Sequence, residues 1–224
     1  MKKIFKYQLL HLLLALLFLM GTAWYVNEDR DLLLGGILGI STASWFWLGI
    51  LVPIVHQVYV AVVWRLELYR GSFTSLLGMK KAFVLYAIGF TVLFLGRLVI
   101  IIPLALGNAH TLAVEPYLAY ALAGILTPLI GYLLYSVIKY FTIVRAFGID
   151  HFDKEYKAPY VKEGIFKYTS NGMYSVGLSI LFLPGLLLLS KAAIFVALFN
   201  YLYIWVHYYC TELPDMKEIY GSTP

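Results

Sequence analysis

The sequence predicts an all-α integral membrane protein. Of its 224 residues, 62% are hydrophobic and only 13% are charged, whereas a soluble domain carries about 25% charged residues. The mean hydropathy is +0.81, and the apolar residues form runs long enough for helices that cross a bilayer. The net charge of +5 is spread between these runs. It therefore favours orientation in a membrane over binding of nucleic acid.

These apolar runs predict about six transmembrane helices. They cover roughly residues 7–26, 32–64, 81–105 and 116–140, with a final pair within 173–209. The first run has the basic start of a signal peptide. Its apolar stretch is long, however, and Trp24 and Tyr25 stand where a small-residue cleavage site is needed. We therefore expect it to be retained as a first span.

The second run, Leu32 to Trp64, is long enough for two short spans or for one long span bent at Pro53. Counting it as one span leaves only Arg30 and Lys191 on one side of the membrane. Fourteen basic residues then fall on the other side: Lys2, Lys3, Lys6, Arg65, Arg70, Lys80, Lys81, Lys139, Arg145, Lys154, Lys157, Lys162, Lys167 and Lys217. Because basic residues concentrate on the cytoplasmic side, we predict one span here and both termini in the cytoplasm.

The start of this second run carries small residues at four-residue spacing. They are Gly35, Gly39 and Ala43. Such spacing lets neighbouring helices approach closely, so we expect a packing stripe on the second helix.

The last run, Met173 to Tyr209, predicts a tight helical hairpin with short arms. It contains turn residues at Pro184-Gly185 and Ser190-Lys191. The hairpin brings the polar blocks that flank it, residues 145–171 and 207–224, to one face of the membrane. This meeting is the first indication of a functional site. The alternative interpretation is two solvated ends.

Three polar residues inside the spans need partners. Arg97 is costly in a bilayer and must face protein, water or a lipid phosphate. His56 follows the Pro53 bend, where it either satisfies freed backbone groups or lines a substrate cavity. Asn200 either makes a helix–helix hydrogen bond or lines the pocket of the hairpin. We therefore treat Arg97 and His56 as candidate substrate-binding residues.

The sequence gives little indication of a metal site or of several common enzyme classes. The single cysteine, Cys210, excludes an internal disulfide and a multi-cysteine metal site. Asp150, His151 and Asp153 form a weak metal signal, and we expect a solvated loop that caps a helix, with no metal. The sequence contains no GxSxG, HExxH, P-loop or GxGxxG motif.

The segment that opens the hairpin resembles a known motif. It reads Gly164-Ile-Phe-Lys-Tyr168-Thr-Ser-Asn171-Gly-Met173-Tyr174-Ser-Val-Gly177. This is similar to G-x-Y-R-Y-x-R-H-P-x-Y-x-G, a motif of the integral-membrane methyltransferases. That superfamily includes the isoprenylcysteine carboxyl methyltransferases and the phospholipid N-methyltransferases.

The segment after the hairpin resembles the second motif of the same superfamily, E-E-x-x-L-x-x-x-F-G. It reads Glu212-Leu-Pro214-Asp-Met216-Lys-Glu218-Ile-Tyr220-Gly221, and His207 precedes it where these proteins often carry a histidine. The resemblance covers roughly residues 131–221. Ser170-Asn171-Gly172 replaces Arg-His-Pro, and Leu213 replaces the second glutamate. Asn171-Gly-Met173-Tyr174 approaches the Asn-Pro-Met-Tyr of the phosphatidylethanolamine methyltransferases, which favours the phospholipid branch.

The resemblance implies a methyltransferase that uses S-adenosyl-L-methionine and acts on a membrane-embedded lipid, and the expected reaction is N-methylation of an ethanolamine phospholipid. The implied catalytic residues are His207 and Glu212. The implied cofactor-binding residues are Gly164, Tyr168, Asn171, Met173, Tyr174, Gly177, Asn200, His207 and Glu212. Asn171 can hydrogen-bond the cofactor, Tyr174 can present its ring to the sulfonium, and Glu212 can pair with the amino group.

The expected organisation is one transmembrane domain over residues 1–224, with N-terminal helices in 1–115 and a methyltransferase-like core in 116–224. The active site is expected at the cytoplasmic face of a bacterial inner membrane or the endoplasmic reticulum. Three alternatives stay open: an isoprenylcysteine-type carboxyl methyltransferase, a degenerate non-catalytic scaffold, and an intramembrane reductase. The sequence leaves the oligomeric state undetermined.

Overall fold

The computed structural model describes residues 3–156 and 158–221. Lys2 and Lys157, two of the basic residues assigned to the cytoplasmic side, lie outside the described residues. Within them the regular secondary structure is helical apart from one small ribbon, and five helical stretches are long and apolar enough to cross a membrane. The predicted fold class, an all-α integral membrane protein, is confirmed.

The helices follow one another along the chain, and the longest connection runs from 147 to 171. In chain order they are α1 (Gln8–Glu28), α2 (Thr42–Arg70), α3 (Thr74–Leu77), α4 (Met79–Gly107), α5 (Pro116–Ser136), α6 (Ile143–Ala146), α7 (Gly172–Ser175), α8 (Phe182–Leu187), α9 (Lys191–His207) and α10 (Leu213–Tyr220). A π-helical turn, Val137–Phe141, extends α5. A second π-helical turn, Tyr208–Glu212, joins α9 to α10, so that residues 191–220 form one continuous helical rod.

The second apolar run forms a single membrane-length helix, α2, with Pro53 inside it. The first ten residues of the run, 32–41, are not α-helical, however. A 3-10 turn, Arg30–Leu33, leads into an antiparallel ribbon of β1 (Gly36–Ile37) and β2 (Ile40–Ser41), in which Gly36 pairs with Ser41 and Ile37 with Ile40.

The expected stripe of small residues on the second helix is therefore wrong. Gly35 and Gly39 have φ values of 97° and 73°, which glycine adopts readily and which do not occur inside a helix. Gly35 still serves a close approach: a Cβ there would lie 2.2 Å from the Gly107 carbonyl oxygen at the end of α4. The contact is between a loop and a helix end, and not between two helices.

The C-terminal hairpin forms, but its first arm is shorter and more broken than the other spans. It consists of α7, a 3-10 segment (Gly177–Leu181) and α8. Pro184 and Gly185 lie inside α8 and make no turn, contrary to expectation. The chain reverses immediately after α8, and the Ser190 hydroxyl then caps α9 by accepting from the Ala193 amide at 3.2 Å.

Helix α9 is the centre of the bundle. Its small residues Ala192, Ala193 and Ala197 are fully buried, and Phe46 of α2 and Leu104 of α4 belong to the same core. An ion pair between Lys191 and Asp29 joins the start of α9 to the end of α1. At the other end of the rod, Lys3 Nζ pairs with Glu218 Oε1 at 2.6 Å. The first and last described segments therefore meet at one end of the bundle, which we call the terminal end.

The polar connection between α5 and α7 folds back onto the terminal end. Ile149 and Phe152 pack with Trp64 and Tyr86 of the neighbouring helices, and Phe166 packs with Leu133 of α5. Consequently Asp150 and His151, which were expected in a solvated loop, are buried. The connection is a cap over the helix ends.

Candidate functional site

A cavity of about 340 Å³ lies at the terminal end, between this folded connection and the rod formed by α9 and α10. Its volume is at the lower end of the ~300–1,000 Å³ that is usual for small-molecule sites. Aromatic rings form much of the wall: Trp64, Phe141, Tyr160, Tyr174, Tyr208 and Tyr220. The polar part of the wall comes from Arg145, Asp150, Ser170, Asn171 and Glu212.

The first motif reaches the cavity through Asn171, Met173 and Tyr174. The Asn171 carbonyl accepts hydrogen bonds from the amides of Tyr174 and Ser175, both at 2.9 Å, and these bonds begin α7. The turn of α7 thus directs Met173 and Tyr174 to the same wall as Asn171.

The second motif reaches the cavity through Glu212, which ends the π-helical turn. The Tyr174 hydroxyl donates a hydrogen bond to the Glu212 carboxylate. This bond joins residues 38 positions apart and ties the two motif segments together. Four of the residues expected in the cofactor site, Asn171, Met173, Tyr174 and Glu212, therefore share one cavity.

The cavity contains a second carboxylate that was not expected there. Asp150 is buried, and the Tyr220 hydroxyl donates a hydrogen bond to its Oδ2. Each acid in the wall is thus held by a tyrosine: Glu212 by Tyr174 of the first motif, and Asp150 by Tyr220 of the second motif. The wall as a whole offers two carboxylates, several aromatic faces and one guanidinium, that of Arg145. Carboxylates and ring faces both attract organic cations.

Arg145 is held at the rim in a defined position. One of its terminal nitrogens, Nη1, donates to the Pro159 carbonyl at 2.7 Å, and the guanidinium lies 4.7 Å from the centre of the Phe141 ring. No salt bridge ties it to an acid in the described part of the chain. Its fork is therefore suited to an external anion.

Both motif glycines contact α5 and lie outside the cavity wall. Gly164 has a φ of 59°, and a Cβ there would lie 2.4 Å from the Ser136 hydroxyl oxygen. A Cβ on Gly177 would lie 2.9 Å from Leu133. Each glycine allows the chain to pass close to α5. Tyr168, between them, is 77% exposed and also lies off the wall.

His207 and Asn200 lie inside the bundle and do not line the cavity. The His207 ring is buried, 5.8 Å from the Trp64 ring and 6.1 Å from the His11 ring. The Asn200 amide donates to the carbonyls of Val196, at 2.8 Å, and Gly49, at 3.3 Å. Asn200 thus makes the helix–helix hydrogen bond that was its alternative interpretation.

Arg97 and His56 are buried between the helices, and the structure separates them from the cavity. Within the described residues, Nε and Nη2 of Arg97 and both ring nitrogens of His56 have no hydrogen-bond partner. The His56 ring packs edge-on against Phe90, with centroids 4.6 Å apart.

Sequence reasoning missed several residues of the wall. Tyr220 belongs to the quoted second motif but was given no role, and Asp150 was placed in a solvated loop. Trp64 ends an apolar run without any distinguishing signal, and it lines the cavity because the connection between α5 and α7 packs against it.

Comparison with known families gives a match, which covers the C-terminal part of the chain. Residues 118–223 match the family of phospholipid methyltransferases. The resemblance to the integral-membrane methyltransferases, and to their phospholipid branch, is thereby confirmed. The matched segment contains every residue of the cavity wall except Trp64. The family indicates a membrane methyltransferase that acts on a lipid. No curated protein and no solved structure gives a significant match.

Proposed function

We propose that the protein uses S-adenosyl-L-methionine to methylate the amine of an ethanolamine phospholipid. The observation that carries the proposal is the bond between Tyr174 and Glu212, since it joins both motifs across one cavity. The match to the phospholipid methyltransferases supports the same reaction class.

The residues present fit this cofactor by their chemistry. S-adenosyl-L-methionine carries a sulfonium, an ammonium and a carboxylate, and it supplies an activated methyl group. Glu212 can pair with the ammonium, and the Tyr174 ring can face the sulfonium. Asn171 adds a neutral amide that can donate and accept hydrogen bonds. The cavity of about 340 Å³ has room for one small molecule of this kind.

The protein's contribution to the reaction is positioning and proton transfer. The ammonium group of the acceptor must lose a proton before its nitrogen can attack. We assign this role to a carboxylate of the wall, Glu212 or Asp150, because each is fixed by a tyrosine hydroxyl. His207, the other expected base, is buried away from the wall and would require a rearrangement to take part.

The acceptor is proposed to enter from the bilayer beside Arg145. The side chains that precede Arg145, Ile138, Ile143 and Val144, are exposed and apolar, as expected for a surface that contacts acyl chains. Arg145 would then hold the lipid phosphate in its fork. This arrangement places the headgroup at the cavity and leaves the chains in the membrane.

The orientation and organisation of the chain are proposals as well. Arg30 and Lys191 stand at the end of the bundle opposite the cavity, in keeping with a cytoplasmic terminal end. We propose that residues 1–115 supply supporting helices and that 116–224 form the methyltransferase core.

The test offers the purified protein, with methyl-labelled S-adenosyl-L-methionine, two acceptors in separate vesicles: phosphatidylethanolamine and a farnesylated cysteine analogue. We expect labelled N-methylated phospholipid from the first and no label on the second. A methyl ester on the second alone would establish the carboxyl methyltransferase alternative. No calorimetric binding of the cofactor to folded protein would establish the scaffold.

A further inference from the structure

Arg65 of α2 lies directly beneath the second motif and is almost wholly buried, with 1% of its side chain exposed. Its Nη2 donates to the carbonyls of Cys210, at 3.1 Å, and Thr211, at 3.4 Å. Its Nη1 donates to the Lys3 carbonyl at 2.8 Å. Its Nε forms an ion pair with Asp215 Oδ1 at 2.9 Å. One side chain thus contacts the π-helical turn, α10 and the start of the chain.

The two carbonyls that Arg65 contacts lie where the helical rod is interrupted. In an α-helix, the carbonyl of Cys210 would accept from the amide four residues later, but that residue is Pro214, which has no N–H. The turn widens instead, and the Leu213 amide bonds back to the Tyr208 carbonyl. Two side chains from other helices donate to the Cys210 carbonyl in place of the missing amide. They are Arg65 and Gln8, whose Nε2 lies 3.2 Å from the Cys210 oxygen.

Glu212 follows these two carbonyls immediately, so its direction depends on how the widened turn is held. The Asp215 carboxylate fixes the next helical turn, and His151 Nε2 lies 3.6 Å from its second oxygen. The His151 ring stacks on Trp64 with centroids 4.0 Å apart. Trp64 and Arg65 are adjacent on α2, and therefore one helix supplies both a cavity wall and the support of Glu212.

Fold stability alone is a weak reason for a charge at this position. A buried ion pair can often be replaced by apolar residues of similar size without loss of stability. Such residues cannot donate to two backbone carbonyls. The feature that requires an arginine is thus the geometry of the widened turn.

We propose that Arg65 is a positioning residue that holds the π-helical turn so that Glu212 faces the cavity. The inference rests on the proposed function, in which Glu212 binds the cofactor. It also extends the site beyond the matched segment 118–223: the N-terminal helices complete the cofactor site as well as anchoring it.

The test compares the double variant Arg65→Met/Asp215→Leu with the wild type and with Arg70→Met, which changes an exposed arginine on the same helix. Three quantities are measured: the thermal midpoint, the Kd for S-adenosyl-L-methionine by calorimetry, and the hydrogen exchange of amides 208–216. We expect the double variant to keep its midpoint within a few degrees. Its Kd and its local exchange should rise about tenfold or more, and Arg70→Met should change neither.

A folded double variant with wild-type Kd and exchange would overturn the proposal. If the double variant does not fold, Arg65→Lys is the second comparison, since lysine keeps the pair with Asp215 but has no fork for two carbonyls. Arg65→Lys should raise the Kd and the exchange of amides 208–216 without lowering the midpoint. An unchanged Kd together with unchanged exchange would likewise overturn the proposed role of Arg65. Absence of cofactor binding in the wild type would instead reject the proposed function. The exchange data would still decide whether Arg65 holds the turn.

Discussion

Tyr174 joins the two motif segments through a side-chain hydrogen bond. Its hydroxyl bonds to Glu212, and its ring lies 6.1 Å from that of Trp205 and 5.9 Å from that of Tyr208. The ring can therefore stay in place when the hydroxyl is removed. The contribution of the hydroxyl can therefore be measured separately from that of the ring.

Tyr174→Phe should weaken cofactor binding while leaving the fold intact. A hydrogen bond to a charged group contributes about 1.5–3 kcal/mol, which corresponds to roughly 10–150-fold in Kd. Calorimetry with S-adenosyl-L-methionine measures the change. Tyr117→Phe, at an exposed position at the start of α5, is the matched control and should bind as the wild type does. Equal affinities in all three proteins would show that the Tyr174 hydroxyl does not contribute to cofactor binding.

Arg97, unlike Tyr174, is buried with no acid partner among the described residues. Arg97→Met should therefore increase stability, because an uncompensated charge leaves the bundle interior. The thermal midpoint should rise by about 2–4 °C for each kcal/mol gained. The KM for the lipid should stay unchanged. A raised KM with an unchanged midpoint would instead support the phosphate contact expected from the sequence.

At the scale of elements, hydropathy predicted the long helices well and their interruptions poorly. Residues 32–41 are as apolar as a span, yet Gly35 and Gly39 adopt positive φ and the segment forms a ribbon. An apolar loop and an apolar helix have the same hydropathy, so only the backbone geometry separates them. Pro184-Gly185 was expected as a turn from its residue types, yet Pro184 lies in the first turn of α8, where a helix tolerates proline.

Gly164 lets the connection between α5 and α7 pass close to α5. Gly164→Ala should destabilise the protein by more than about 1 kcal/mol, because its φ is positive and the new Cβ would meet the Ser136 hydroxyl. The cofactor Kd should rise as well, since this connection forms one wall of the cavity. Thermal unfolding and calorimetry measure the two effects.

The control for that variant is Gly124→Ala within α5. Nothing lies within 4 Å of a Cβ at this position, and alanine favours a helix over glycine by about 1 kcal/mol. This variant should be as stable as the wild type or more stable. A Gly164→Ala protein that unfolds at the same temperature as Gly124→Ala would show that the close contact with α5 is dispensable.

For the whole molecule, sequence alone predicted the membrane class, the single long second span and both motif segments. It grouped Asn171, Met173, Tyr174 and Glu212, which line one cavity, because short motifs preserve the spacing of residues that lie together in the fold. It missed Trp64 and Asp150 in the cavity wall and Arg65 behind it, because the packing of distant segments brings these residues together. Such contacts leave no local pattern of spacing or charge.

The orientation of the whole chain can be measured by labelling single cysteines. In a variant with Cys210→Ala, a cysteine at the exposed Ala113 should react with a membrane-impermeant reagent from outside. A cysteine at the exposed Lys162 should react only from the cytoplasmic side. The expectation follows from the distribution of basic residues. Labelling of both positions from one side would contradict the proposed topology.

The exposed aliphatic edge beside Arg145 has a kinetic consequence. An acceptor that arrives along Ile138, Ile143 and Val144 is never dissolved in the aqueous phase, so its effective concentration is a mole fraction within a two-dimensional fluid. Adding inert phosphatidylcholine should slow the reaction in proportion, even when the total amount of acceptor in the tube is constant. Adding more buffer should leave the rate per enzyme unchanged. Vesicles of graded composition measure this surface dilution, and a rate that follows bulk concentration would exclude entry through the bilayer.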